Sequence, residues 1–165
     1  MATTTYYPFQ PSSVAPFSFQ PSLDGDTYNA TVTWSVFGQR WYLNIYALDG
    51  TLVVSEGLSA SPTGLSLQSL SWARGRAYST TIDPHGLNIG GLVGLTISGA
   101  SPDAFNGLQS CLITGPSTFT YPLSPNPGQV TMTGAASYNV NLVGGYFTAS
   151  TVVFRDQTQT FEVTS

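Results

Sequence analysis

Lysine is absent from this sequence, and its only cations are Arg40, Arg74, Arg76 and Arg155. Recognition of a phosphate backbone needs clustered Lys and Arg. With a net charge of −4 and no basic run, the chain argues against direct nucleic-acid binding. One cysteine, Cys111, cannot close an internal disulfide, so stability must rest on packing and on partners. No apolar run approaches the roughly 20 residues a bilayer span requires. The opening MATTTYYPFQP has neither the basic nor the apolar region of a secretory signal, which reads as a protein cytosolic when made. Helix formers are scarce as well, since Lys is missing and Glu occurs only at positions 56 and 162.

Charge is the most telling shortage. Charged residues make up 7% of the chain, against about 25% in an ordinary soluble domain. Disorder does not explain this, because aromatics reach 13% and disordered chains are poor in them. A surface of Ser, Thr, Asn, Gln and Gly has little like-charge repulsion to hold copies apart. That composition suits a protein whose working state is an assembly.

What is present reads as all-β. Val32, Trp34 and Val36 alternate with Thr31, Thr33 and Ser35, which predicts a strand over 30–36. A turn at 37–40 leads to a second strand over 41–48, and Asp49-Gly50 suits a tight hairpin into a third over 51–55. Strands are expected again at 146–154 and 159–163, joined by a turn at 155–158. Between these flanks, residues 71–137 are dense in Gly, Pro, Ser and Thr. Short strands are expected there at 92–98, 109–114, 118–121 and 129–133, forming a second small β unit. The first residues differ again. Phe-Gln-Pro recurs at 9–11 and 19–21, and Pro8, Pro11, Pro16 and Pro21 bar a central strand. Residues 1–16 therefore read as an extended arm. It either grips a neighbouring molecule, with Tyr6, Tyr7, Phe9, Phe17 and Phe19 as anchors, or folds back on its own sheet.

The chemical candidates are few. A metal site needs several converging ligands, and the chain has one His and one Cys, so none is expected. His85 sits in Pro-His-Gly and reads as a turn residue. Cys111 alternates with apolar neighbours in an expected strand and reads as packed rather than nucleophilic. Asp24, Asp26, Asp49 and Asp103 each have a turn explanation, and Asp24 with Asp26 offers too few oxygens for Ca²⁺. No phosphate-binding loop is present. The chain is expected to be no enzyme and to carry no cofactor. Trp34, Trp41, Tyr42 and Tyr46 fall on adjacent strands, as core, as subunit interface or as a sugar-stacking platform centred on Trp41 and Tyr42.

Two sets of residues resemble known families. Leu23-Asp24-Gly25, Tyr28, Trp34, the run from Arg40 to Tyr46, Asp49-Gly50 and the closing strand pair together resemble a small β domain of tailed bacteriophages, the baseplate plug or tail-hub family. Pro84-His85-Gly86-Leu87, residues 93–100, Ala104-Phe105-Asn106-Gly107 and Thr118-Phe119-Thr120-Tyr121 are similar to a small β module inserted into phage structural proteins. In that module His85 and Asn106-Gly107 mark turns, and Phe119 and Tyr121 a strand; the sequence departs from it at Gly90-Gly91-Leu92. The resemblance implies a plug-like sheet or barrel split between 17–70 and 138–165, with the module inserted at 71–137. It implies a virion structural component assembled in the host cytoplasm, in a tail hub, baseplate or tail-tube end. Its partners would be other copies of itself and other virion proteins. The alternatives are a capsid decoration or head–tail joining protein, and a module binding a host-surface glycan.

Overall fold

Apolar residues alternating with Thr and Ser bury one face of a strand and leave the other to water. The strand around Val32 does this, with Ala30 and Val32 buried between half-exposed Thr31 and Thr33. The computed structural model describes residues 2–12 and 14–165, and Met1 and Ser13, both within the expected arm, lie outside the described residues. The described chain is strand, turn and one short 3-10 turn at Asp103–Phe105.

The strands run in order as β1 (Thr4–Pro8), β2 (Phe17–Phe19), β3 (Ser22–Leu23), β4 (Asp26–Thr27), β5 (Asn29–Ser35), β6 (Arg40–Tyr46) and β7 (Leu52–Gly57). Then follow β8 (Leu65–Ala73), β9 (Arg76–Thr81), β10 (Leu92–Ser98), β11 (Gly107–Gly115), β12 (Thr118–Pro122) and β13 (Ala135–Ser137). The last two are β14 (Thr151–Arg155) and β15 (Thr160–Thr164). They form two compact units, one of Met1–Ser61 with Asn139–Ser165, the other of Pro62–Tyr138.

The first unit holds a sheet of order β2-β5-β6-β7, a sheet of order β1-β15-β14 and the small pair β3-β4. The meander from β5 to β7 follows the expected alternation, with Val32 opposite Leu43 and Ile45 opposite Val54. The terminal strands meet, with Thr4 opposite Thr164 and Tyr7 opposite Phe161. Phe9 follows β1 into the core, where its ring lies edge-on to Phe17, Trp41, Phe154 and Phe161 at 5.3–5.7 Å. The chain leaves this unit after Ser61 and re-enters at Asn139, and the two points are stitched together. Val140 N donates to Ser61 Oγ at 2.8 Å, Ser61 N to Phe154 O at 2.8 Å, and Arg155 Nη1 to Ser61 O at 3.1 Å. Arg155 also pairs with Glu162 at 2.9 Å.

The second unit is a closed antiparallel barrel of order β10-β11-β12-β9-β8-β13. Its lumen is filled by side chains, among them Leu67, Leu95, Ile97, Cys111, Ile113, Phe119 and Tyr121, as suits a barrel too narrow to hold a channel. Closure brings Gly134 against the turn after β10. It has a φ of +72°, and an added Cβ would lie 2.6 Å from Ala100 N.

Several sequence expectations need correction. The second unit begins at Pro62 rather than 71, because Leu65–Ala73 turns back on Arg76–Thr81. Arg74 and Gly75, both at positive φ, make the tight turn that Asn-Gly usually signals. The strand expected at 129–133 reduces to one bridge between Met132 and Ser101, since Pro127 and Gly128 precede it, and β13 forms after Gly134. The strand expected at 146–154 starts only at Thr151, because residues 148–150 are held by a carboxylate. Residues Thr4–Pro8 of the expected extended arm form the edge strand β1 on β15; Pro8 is tolerated because one flank of an edge strand needs no ladder.

Phe9→Ala should cost about 3–5 kcal/mol of unfolding free energy, measured by urea titration followed through tryptophan fluorescence. A cost below ~1 kcal/mol would mean that Phe9 is not a core residue.

Candidate functional site

The groups with chemical potential are used internally. His85 is 3% exposed; its Nδ1 accepts from Leu87 N at 3.1 Å, and its backbone carbonyl accepts from Tyr138 Oη at 2.9 Å. It pins the 83–88 turn to the barrel. Cys111 is fully buried, and desolvation pushes its thiol up to about 12, so it stays protonated and inert. Burial likewise raises Tyr121; its hydroxyl donates to Phe105 O at 3.1 Å. Asn106 copies a strand neighbour, accepting from Ala100 N and donating to Ala100 O, both at 2.9 Å. Among the described residues no cluster of His, Cys, Asp or Glu is arranged to hold a metal ion.

Asp24 is the best-ligated acid of the chain. Its carboxylate accepts from Thr148 N at 2.7 Å, Thr148 Oγ1 at 3.0 Å, Ala149 N at 3.1 Å and Ser150 N at 2.8 Å. Its own amide donates to Ser150 Oγ at 2.6 Å. These bonds, led by that from Thr148 N, hold its carboxyl well below the usual carboxylate range. The turn between β3 and β4 is thereby clamped to the loop that precedes β14.

The aromatic candidates separate by face. Trp41 and Tyr42 are adjacent on β6 and point to opposite sides of the sheet, so they do not form one platform. Trp41 is edge-on to Phe9 at 5.5 Å and to Trp34 at 5.3 Å. Tyr42 lies on the outer face beneath the Arg40 guanidinium, 5.4 Å from the ring centre. Arg40 lies across Gly57, in space that a Cβ would occupy. Of the arm residues, Phe9 and Phe19 are buried and Phe17 stacks on Phe161 at 6.3 Å. Tyr7 packs on Phe19 at 4.6 Å and donates to Gln20 O at 2.8 Å. Within its own chain the arm thus lies on its own sheet. Tyr6 alone of the five is well exposed, at 61%.

Two surface features of the first unit escaped the sequence reading. At the β5–β6 turn Phe37 is completely exposed, Val36 three-quarters exposed and Trp34 more than a third exposed. The turn is held by Gly38 N donating to Ser35 Oγ at 3.1 Å. An apolar pair where a turn normally carries Gly, Asn or Asp was the available signal. At the other end of β5 is a depression of about 330 Å³ lined by Ser18, Phe19, Gln20, Asn29, Ala30 and Thr31. Gln20 Nε2 donates to Asn29 Oδ1 across its rim at 2.8 Å. Nothing in the sequence pattern marks this depression, which exists only once β2 pairs with β5.

Part of this unit is similar to a known family. Residues 4–63 match the family model of the cyanophage baseplate Pam3 plug gp18. The match begins at β1 and ends two residues past Ser61, where the chain leaves the first unit. It covers a little over a third of the chain, and supports a structural role in a phage tail baseplate, as part of the virion. Such a role is consistent with a protein that is not an enzyme and that associates with other virion proteins. No curated protein and no solved structure matches the chain. No helix among the described residues is long and apolar enough to cross a membrane.

A depressed carboxylate stabilises the fold above its unfolded pKa and loses that contribution as pH falls through the folded value. Asp24→Asn should therefore lower the urea midpoint at neutral pH, and the gap to the parent should narrow as pH drops below about 4. Equal midpoints at neutral pH, or a gap unchanged in acid, would rule the clamp out.

Proposed function

We propose that this chain is a structural part of a phage tail, seated at the hub, baseplate or tail-tube end, and that it works by symmetric assembly. The observation that carries this reading is the match of residues 4–63 to a baseplate plug. The physics of the molecule supports it. The second unit is a closed barrel, and closure leaves no ladder open for pairing. The first unit does have sheet edges, at β1, β14, β2 and β7. Neither β1 nor β7 carries a lysine, the residue most used to blunt an edge. β1 carries no charged residue at all; such an edge is a template for a neighbour's strand, and main-chain hydrogen bonds give such a contact affinity without a large globular interface.

In this reading the arm has two uses. Residues 2–9 complete the sheet of the first unit, and in an assembly the same strand, seated by Tyr7 and Phe9, completes the sheet of a neighbouring copy instead. Tyr6 faces the neighbour in either arrangement. The inserted barrel acts as a second module displayed by the plug-like unit. Host-surface glycan binding and a place on the capsid are the rival readings.

Position and copy number decide among them. Purified particles carrying a gold-labelled epitope on this chain should show label at the distal end of the tail, with a few copies per particle by quantitative protein analysis. Label spread over the head, copies in the hundreds, or no chain in purified particles would overturn the proposal.

A further inference from the structure

The backbone of the arm is bonded to the last strand of the chain. Thr4–Pro8 pair with Thr160–Thr164. Beyond them Thr3 N donates to Ser165 O at 3.0 Å, Ser165 N to Thr3 O at 3.1 Å and Phe9 N to Gln159 O at 2.7 Å. The side chains of the arm add one deep contact. Thr4, Thr5, Tyr6 and Pro8 are exposed and Tyr7 is half-buried, whereas Phe9 is buried among the rings of Phe17, Trp41, Phe154 and Phe161. A segment held by exposed backbone bonds and a single anchor opens at lower free energy than the core it covers. The connector to β2 leaves room for that opening, since Gln10, Pro11, Val14, Ala15 and Pro16 are all exposed.

The surface under the arm has two parts, a strand edge along β15 and a ring-lined socket beside it. An edge with a socket reads an extended segment through main-chain bonds and one inserted side chain. The segment that fits is already seated there, residues 3–9. We propose that the groove along β15 is a strand-acceptor site for residues 3–9 of a second copy, and that the chain's own arm is its inhibitor. A short tether holds the arm at a roughly millimolar effective concentration, so a free copy at micromolar concentration does not displace it. Neighbours gathered in an assembly bring their arms to a comparable local concentration. Exchange then loses no contact, because each bond made within one chain is remade between two. The proposal rests on the assembly reading above and names what restrains assembly in a single chain.

The test cuts the tether in the folded protein, at a protease site inserted within residues 10–16. A fluorescent peptide of residues 2–12, ATTTYYPFQPS, should exchange into the cut protein and bind the uncut chain at least roughly a hundredfold more weakly. Phe9→Ala in the peptide should weaken binding to the cut protein by about a hundredfold or more. Cut and uncut protein that behave alike overturn the proposal, as do two peptides that bind equally. A second variant reads the exchange without cutting. Thr4 and Thr164 face each other with their hydroxyls 3.0 Å apart, so Thr4→Cys combined with Thr164→Cys supplies a pair that a mild oxidant can link. On a non-reducing gel the isolated protein should run as a monomer and the protein from particles as linked oligomers. Monomer bands from particles overturn the proposal, while a label at the tail end of those particles leaves the baseplate reading standing. Particles that lack the chain overturn the baseplate reading instead, and the peptide result then decides the acceptor site by itself.

Discussion

The pairing of the first strand with the last is the constraint on which the first unit depends. β15 lies between β1 and β14, so the ladder is satisfied on both sides only when the two ends of the chain meet. The aromatic core follows from that pairing. Phe161, carried by β15, contacts Phe9, Phe17, Phe19 and Phe154, so the closing strand brings one ring against all four. The segment that matches the baseplate plug, residues 4–63, therefore supplies most of the strands of this unit but not its completed core.

The same constraint explains how a second unit is accommodated. An insertion is tolerated where the points of exit and return are adjacent. Here Val140 donates directly to Ser61, and Arg155, paired with Glu162, holds the Ser61 carbonyl. An ion pair of this kind is expensive to desolvate, and its third bond, to the backbone, gives it a positional task. Elsewhere in the unit Asp24 gathers three successive amides of residues 148–150. A short acidic side chain replaces the strand that the alternation around Tyr146 predicts.

Residues that invite a chemical reading turn out to do backbone work. His85, Asn106 and Asp24 each supply hydrogen bonds that strand ladders would otherwise provide, and Cys111 fills volume in a barrel. In a chain with so few ionisable groups, Asp24, Asp49 and Arg155 are placed where a loop is fixed. The surface left for contact is sparsely charged: strand edges, hydroxyl and amide faces, and scattered exposed apolar side chains such as Phe37, Val36, Leu92 and Leu108. Such surfaces associate without strong electrostatic steering, which suits parts that are built once into a particle.

Much of this was legible in the residues themselves. Alternation placed β5, β6, β10, β12 and β15 nearly to the residue, because a half-buried strand must alternate whatever its partners are. Composition sets the expectation against a phosphate-backbone partner, because the chain has no lysine and no basic run. The β8–β9 hairpin was hidden because Arg74-Gly75 reaches positive φ without the usual Asn, and the true start of the second unit at Pro62 was hidden with it. Face assignments beyond the single strand were not legible either. Trp41 and Tyr42, as strand neighbours, must point to opposite sides, and only the contacts of Phe9 with Trp41 and of Arg40 with Tyr42 show what covers each. Local spacing determines which residues share a face of a strand, since that is a property of the backbone alone. Which of those faces is buried, which strand ends an open sheet, and which side chain is left in water depend on contacts between residues far apart in the chain, and those only the folded molecule decides.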